Sequence, residues 1–317
     1  MTVVSLSLCL QGVRIFKGMN SEMRMIVIFL LFLACSTNKS DKNLSSPFEF
    51  EELADLPNDL KESSGIELAE SDHFWSFNDS GGKPELYKFD REGQLKQIVR
   101  VNNALNIDWE DMTKDEEGNI YIGDFGNNNN DRKDLVIYKI SRSKIESAEI
   151  SSVMAEKIEF RLSDQHDFPP AKQDRLFDIE SLFASGNYLY MLTKDRSKPF
   201  MGKSKLYRLG KHPGKHIAEY RDLLVTDKDK SKGQITAADL SNDGSTLVLL
   251  AKDMIWLFER FQEDQFFERK PLQIDLPAEQ SMEGVVLESN RVMYLTSEGS
   301  RKKAGRLFRL ELSLVYQ

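Results

Sequence analysis

The chain has 317 residues and a formal net charge of −8 at pH 7, with 51 acidic and 43 basic residues. Because nucleic-acid-binding proteins usually present a basic face, this charge argues against nucleic-acid partners. The two cysteines, Cys9 and Cys35, lie near the N-terminus, and the four histidines are scattered. The rest of the chain therefore offers neither a disulfide framework nor the Cys and His spacing of a zinc site.

The N-terminal segment predicts export. Arg24 precedes an apolar run, residues 25–34, which is shorter than the roughly 20 residues of a membrane span and is typical of a signal peptide. Residues 31–35, Leu-Phe-Leu-Ala-Cys, are similar to a bacterial lipobox, in which the cysteine carries the lipid. We expect a signal peptide over residues 1–34 and lipidation of Cys35, with an ordinary secretion signal or a short anchor as the alternative.

The segments on either side of this signal predict how the chain is organised. Residues 1–22 are interpreted as an over-extended start, since Met19 or Met23 would begin a complete signal. Residues 35–47 are rich in Ser, Asn and Lys and predict a flexible tether. Residues 48–317 are expected to form one domain in the bacterial cell envelope. It would be lipid-anchored, in the outer membrane or facing the periplasm, and would touch the membrane through its lipid only.

A three-strand pattern recurs along this domain. Each copy has a hydrophobic first strand with a polar or acidic start, an aromatic second strand with a polar end, and a third strand of the Leu/Ile-Tyr-Lys/Arg type. The copies begin near Ser64, Ile107, Asp178, Ile235 and Met282. Further strands are expected between the copies, at residues 95–101, 157–162 and 267–276. A repeat of about 45 to 70 residues with about four strands predicts an all-β fold of the β-propeller class.

The copies predict five blades. Six is the alternative, because the interval 141–175 is long enough to contain extra structure. The last copy ends without room for an outer strand, and residues 48–53 can supply it. We therefore expect the ring to be closed by the N- and C-terminal strands in one blade, which removes exposed sheet edges.

A propeller blade brings the start of its first strand and the end of its second strand to the same face, at the mouth of the central channel. The residues that this rule places there are the predicted ligand-binding residues. They are Ser64, Asp79, Glu110, Asp124, Glu180, Lys194, Thr236, Lys252, Glu283 and Glu298.

Convergent carboxylates require a cation, neighbouring lysines or raised pKa values. Oxygen ligands without His or Cys suit Ca²⁺ or Mg²⁺. The predicted metal ligands are Glu110, Asp124, Glu180 and Glu283, with Ca²⁺ as the expected ion. The alternatives are a polar ring bonded to water and backbone, and pairing of the acids with Lys194 and Lys252. The loops 78–82 and 124–131 are interpreted mainly as turns, in which Asn, Asp and Gly are common.

No nucleophile motif or phosphate-binding loop occurs in the sequence, so the motifs leave open whether the protein is an enzyme. If it is one, Glu110 or Glu180 is the candidate general base, and Lys194 is the candidate residue to hold an anion. The three tryptophans lie in predicted strands, where packing in the core explains them best.

Several motifs in order resemble a family of bacterial secreted propellers of unassigned function. They include Asp108-Trp109-Glu110-Asp111 and the Gly-Asp-x-Gly-x-Asn loop that begins at Gly123. The resemblance spans about residues 60–312. More distantly, the chain is similar to the SdiA-regulated and phytase-like propellers, which include calcium-binding proteins and calcium-dependent phosphoesterases. This chain lacks a dense set of Lys, Arg and Tyr around the acids for phosphate capture, so the resemblance does not imply phytase activity.

Two functions are expected from these observations. The first is a monomeric cell-envelope lipoprotein whose channel mouth binds a small molecule, a glycan or an envelope protein. The second is a metal-dependent hydrolase of phosphoesterase or lactonase type that uses the same mouth.

Overall fold

The computed structural model describes residues 48–70, 72–145, 147, 149–277, 280–299 and 303–313. The predicted signal peptide, Cys35 and the predicted tether lie outside these residues. No helix within them is long and apolar enough to cross a membrane.

The regular secondary structure of the described residues is almost entirely β-strand, with one short helix, α1 (Lys230–Gly233), and two 3-10 turns (Arg142–Lys144 and Lys172–Asp174). In chain order the strands are β1 (Phe48–Asp55), β2 (Ser63–Glu70), β3 (His73–Asn78), β4 (Glu85–Asp90), β5 (Leu95–Val101), β6 (Trp109–Lys114), β7 (Ile120–Asp124), β8 (Leu135–Ile140), β9 (Ser152–Val153), β10 (Glu156–Leu162), β11 (Asp178–Ser185), β12 (Tyr188–Lys194), β13 (Lys203–Gly210), β14 (Gly214–Val225), β15 (Ile235–Leu240), β16 (Thr246–Ala251), β17 (Met254–Glu259), β18 (Leu272–Asp275), β19 (Met282–Leu287), β20 (Val292–Ser297) and β21 (Arg306–Leu312).

These strands group into antiparallel four-stranded units, here called blades. They are β2-β3-β4-β5, β6-β7-β8-β10, β11-β12-β13-β14, β15-β16-β17-β18 and β19-β20-β21-β1. The first strands contact one another in a closed cycle, β2–β6–β11–β15–β19 and back to β2. This arrangement confirms the predicted all-β propeller.

The N-terminal strand closes the ring, as predicted. β1 pairs antiparallel with β21, with Phe48 opposite Leu312 and Phe50 opposite Leu310. The ring of Phe50 stacks on that of Phe308, with centroids 5.1 Å apart. The first and last described strands are therefore held in one sheet by backbone hydrogen bonds and an aromatic contact.

The long interval between the second and third copies adds strands to existing blades. β10 is the outer strand of the second blade, and β9 pairs in parallel with β5 of the first. The start of β14 also pairs in parallel with β10, which joins the second and third blades into one eight-stranded sheet. The choice of five blades over six stays a prediction, supported by the grouping of the described strands.

Apolar side chains fill the spaces between neighbouring blades. Trp75 and Trp109 belong to the cluster between the first two blades, and the Trp109 ring meets Phe77 edge-on with centroids 5.3 Å apart. Trp256 is buried in the cluster that includes the third and fourth blades. All three tryptophans thus pack in the core.

Glycines allow the first strands to approach one another closely. A Cβ at Gly65 would lie 2.7 Å from the Met112 backbone nitrogen of β6, and one at Gly284 would lie 2.5 Å from the Ser64 carbonyl oxygen of β2. Such distances are shorter than van der Waals contact and involve backbone atoms, which cannot rotate away.

Gly65→Ala is expected to lower the free energy of unfolding by about 1–3 kcal/mol, because the added methyl overpacks two first strands. Gly210→Ala is the matched control, since Gly210 also lies in a strand and a Cβ there meets nothing within 4 Å. Urea unfolding of both variants measures the difference. Equal stabilities for the two variants would contradict the close approach of β2 and β6.

Candidate metal and ligand site at the channel mouth

A β-bulge occurs in the first strand of every blade. The strand pairing skips residues 64–65, 110–111, 180, 236 and 283. A bulge leaves a residue unpaired and turns its side chain away from the regular alternation. The skipped positions include Ser64, Glu110, Glu180, Thr236 and Glu283, the five first-strand residues that the sequence analysis placed at the mouth.

Three acids converge at this mouth. Asp79 follows β3, Asp108 precedes β6, and Glu110 lies in the β6 bulge. Each contributes a carboxylate oxygen to a group in which all the atoms lie within 4.8 Å of one another. Glu110 is only 6% exposed, and no hydrogen bond or ion pair from the described residues reaches its carboxylate. A buried charged group without a partner is costly, so this carboxylate requires a proton or a cation.

The loop after β7 leaves room for these acids. A Cβ at Gly126 would overlap Oε1 of Glu110 and Oδ2 of Asp108. The Gly126 N–H donates to the Asp108 carbonyl oxygen at 3.1 Å, which holds the loop against the start of β6. Glycine at position 126 therefore makes room for two carboxylates that converge on one point.

The electrostatics of this group favour its protonated forms. Burial, and then the neighbouring charges of Glu180 and Asp79, raise the pKa of Glu110 well above its usual range. Burial is also the main reason that the pKa of Asp108 is raised and that of Asp79 is raised to about 7. Carboxylates held this close and out of water repel one another when all are ionised.

Unlike Glu110, Glu180 is bound by two cationic side chains. Its Oε2 accepts a hydrogen bond from Lys194 Nζ at 2.9 Å, and its Oε1 accepts one from Arg196 Nη2 at 2.9 Å. Burial alone would raise the pKa of Glu180, but Lys194 and Arg196 outweigh burial and lower it. Arg196 also donates through Nε to Asp178 at 2.5 Å. The ionised form of Glu180 is thus favoured, and its charge is compensated by two cationic side chains.

Asp124 anchors the loop backbone beside the acid group. Its Oδ1 accepts hydrogen bonds from the Asp108 N–H and from Arg132 Nη2, both at 3.1 Å, and its side chain is fully buried. Burial raises the pKa of Asp124, although the Arg132 guanidinium opposes that shift. Asp124 positions Asp108 instead of joining the group of three acids.

The remaining predicted residues occupy different surroundings. Ser64 donates to the Glu110 carbonyl oxygen, and the Thr236 hydroxyl lies 3.5 Å from the Leu250 carbonyl oxygen. Glu283 is near Lys194, and burial raises its pKa to about 8. Glu298 is exposed at the rim. Lys252 is exposed in the turn between β16 and β17 and forms no ion pair within the described residues.

Of the four predicted metal ligands, the structure thus places only Glu110 in the close group of acids. The sequence analysis missed the roles of Arg132 and Arg196, although each lies in a polar loop a few residues beyond a predicted site residue. Asp111 was not predicted as a site residue either. This fully buried carboxylate accepts hydrogen bonds from Leu182 N at 2.9 Å and Ala238 N at 3.1 Å, in two other first strands.

The fold and the site together define an all-β propeller with a partly buried acidic group at the mouth of its channel. No protein-family model matches the chain, and no protein of curated function matches its sequence.

Three solved structures are similar in shape. The PQQ-bound aldose sugar dehydrogenase of Streptomyces coelicolor is 8% identical, covers 83% of this chain and 98% of its own, and has a TM-score of 0.48. A putative gluconolactonase is 13% identical over 84% of this chain and 92% of its own, with a TM-score of 0.45. A gluconolactonase from Xanthomonas campestris is 11% identical over 84% and 90%, with a TM-score of 0.43. Likeness at this level assigns neither a family nor a function.

Without a divalent cation, stability should fall as the pH rises from 5 to about 8. Asp79 and Glu283 have ordinary pKa values of 3.8 and 4.5, and in the folded protein these become about 7 and about 8. At pH values between the ordinary and the raised pKa of each group, the folded state binds more protons than the unfolded state. Raising the pH through this range therefore favours unfolding.

We expect the thermal midpoint in EDTA to drop by several degrees, on the order of 5 °C, over this range. The double variant Asp79→Asn/Glu283→Gln should show a flatter profile. A midpoint that rises with pH in the unsubstituted protein would contradict the assigned electrostatics.

Proposed function

We propose that the channel mouth binds a divalent cation through Asp79, Asp108 and Glu110. The observation that carries this proposal is the carboxylate of Glu110, which is buried, accepts no hydrogen bond from the described residues and lies close to the carboxylates of two other acids. A cation there would remove the repulsion among the three carboxylates and would favour their ionised forms.

The donor set favours Ca²⁺. All three ligands are carboxylate oxygens, which hard cations prefer, and no His or Cys belongs to the group. Oxygens bound to one Ca²⁺ at about 2.3–2.6 Å lie at most about 5 Å apart, and the group lies within 4.8 Å. Ca²⁺ takes about 6–8 oxygen ligands, so three side chains leave positions for water and for a ligand.

This ligand set revises the one expected from the sequence. Asp124 and Glu180 already have cationic partners, Arg132 for the first and Lys194 with Arg196 for the second. We propose that these ion pairs form the wall of the site, in which the charges of the two acids are neutralised and Asp124 positions Asp108. Glu283, across the mouth near Lys194, is kept as a candidate ligand-binding residue.

The function that this geometry supports best is cation-dependent binding of an oxygen-bearing ligand at the cell envelope. The ligand class stays a small molecule, a glycan or the surface of an envelope protein. Open coordination positions on a cation held at the channel mouth would face such a ligand, and the rim residues Glu283 and Glu298 would surround it.

A hydrolase is the second candidate, and one observation favours it. Glu110 and Glu180 lie in environments that move their pKa values in opposite directions, as in many acid–base pairs. A bound cation would polarise the substrate. Glu110, whose pKa is raised, would hold or release a proton, whereas the ionised form of Glu180 is favoured. Lys194 already donates to Glu180, so its charge is partly neutralised, and its role in holding an anion stays a prediction.

Glu110→Gln should abolish the response to Ca²⁺. Calorimetric titration of the full chain is expected to show saturable Ca²⁺ binding, and at 100 times Kd the ion should stabilise the fold by about 2.7 kcal/mol. The variant should bind at least about tenfold more weakly, because it removes the central charged ligand. Glu268→Gln is the matched control, since Glu268 is exposed in the loop between β17 and β18 and does not belong to the acid group.

The same pair of variants distinguishes the two candidate functions. If the protein is a hydrolase, a screen of lactones and phosphoesters should find a turnover that Glu110→Gln removes and Glu268→Gln retains. Ca²⁺ binding without any turnover supports the binding module. Equal Ca²⁺ affinities for Glu110→Gln and the unsubstituted protein would refute the cation site itself.

We also propose that the chain is exported and anchored by a lipid on Cys35, a proposal that the lipobox-like sequence alone supports. Expressed in a bacterium with radiolabelled palmitate, the chain should incorporate label, and Cys35→Ser should abolish it, because only a thiol accepts the lipid. Cys9→Ser is the control and should stay labelled. Export of an unlabelled, cleaved chain would favour an ordinary secretion signal.

A further inference from the structure

A second concave surface lies outside the channel, on the second blade. The start of β14 pairs in parallel with β10, so a strand from the third blade widens this sheet. A groove of about 920 Å³ runs along β8, β10 and β14. Its volume is in the range of small-molecule sites. Asp79, Asp108 and Glu110 do not line it, although Asp124, which positions Asp108, does. We call it the β10 groove.

Part of this groove is apolar. Val136 and Tyr138 of β8 form its floor, and Ile107 and Ile217 line it while 44% and 53% exposed. Isolated exposed isoleucines are ordinary on protein surfaces, but two in one concavity provide an apolar contact area.

The acidic and the basic side chains of the groove differ in their ion pairs. The acids have cationic partners, because Asp134 binds Arg132 at 3.1 Å and Glu159 binds Lys215 at 3.5 Å.

Lys133, Lys157 and Arg161 form no ion pair with any carboxylate of the described residues. The two lysines instead lie over aromatic rings, Lys133 4.7 Å from the centroid of Phe168 and Lys157 5.6 Å from that of Tyr138. Three cations without acidic partners thus border one groove on a chain whose net charge is −8.

We propose that the β10 groove binds a small amphiphilic anion, a phosphate or carboxylate head with an acyl or aromatic body. Lys133, Lys157 and Arg161 contact the head, since these donors form charge-assisted hydrogen bonds with such oxyanions. Ile107, Val136 and Ile217 contact the body. The groove shares Asp124 with the wall of the cation site, but neither proposal requires the other.

Calorimetric titration of the full chain with decyl phosphate, below its micellar concentration, tests the site. We expect one saturable site. Decyltrimethylammonium, which has the same tail and a positive head, should bind at least about tenfold more weakly. Inorganic phosphate should also bind at least about tenfold more weakly, because it lacks the apolar body.

Lys157→Glu/Arg161→Glu should weaken decyl phosphate binding at least about tenfold, since it replaces two donors with repelling charges. Arg269→Glu/Lys270→Glu makes the same change of charge at two exposed positions outside the groove and should leave the affinity within about twofold. Lys157→Gln/Arg161→Gln gives the same test without added negative charge if the first variant unfolds. Glu110→Gln should leave this affinity unchanged, which separates the groove from the cation site.

Three outcomes would overturn the proposal. They are the absence of saturable binding, equal losses in the groove variant and its surface control, and inorganic phosphate binding as tightly as decyl phosphate. The second outcome would mean that the chain attracts anions only through its overall field, and the third that the apolar residues contribute nothing.

Discussion

The close convergence of five first strands around one channel is the constraint on which the rest of the molecule depends. Neighbouring first strands approach so closely that Gly65 and Gly284 leave no space for a Cβ. The fully buried carboxylate of Asp111 joins them further, because it accepts backbone hydrogen bonds from Leu182 and Ala238 in two other blades. The channel is therefore narrow, and whatever lies at its mouth is crowded.

Crowding at the mouth explains the two kinds of acid found there. Each first strand carries a bulge, which places one polar residue out of the regular pairing and at the mouth. Glu180 is neutralised by Lys194 and Arg196, but within the described part of the chain no cationic side chain forms an ion pair with the carboxylate of Glu110. The difference between these two glutamates distinguishes a structural ion pair from a candidate binding site.

The sequence predicted the fold well because strand repeats and turn residues are local signals. It located the outer strand over residues 95–101 and the closing role of residues 48–53, and β5 and β1 occupy those positions. The partners of individual acids could not be predicted, since Asp79 and Glu110 are brought together from different blades. Arg132 and Arg196 pair with acids of their own blades, but both lie in loops, where no periodic pattern indicates a partner. The parallel pairing of β14 with β10 was missed because it leaves no periodic pattern in the sequence.

The most direct test of the account is a crystal structure of the protein soaked with Mn²⁺ as an anomalously scattering substitute for Ca²⁺. The account predicts one strong anomalous peak at the channel mouth, within about 2.6 Å of oxygens from Asp79, Asp108 and Glu110. It also predicts that Glu180 keeps its contacts with Lys194 and Arg196. A mouth without a peak, or a peak bound by Glu180 after these ion pairs have broken, would contradict it.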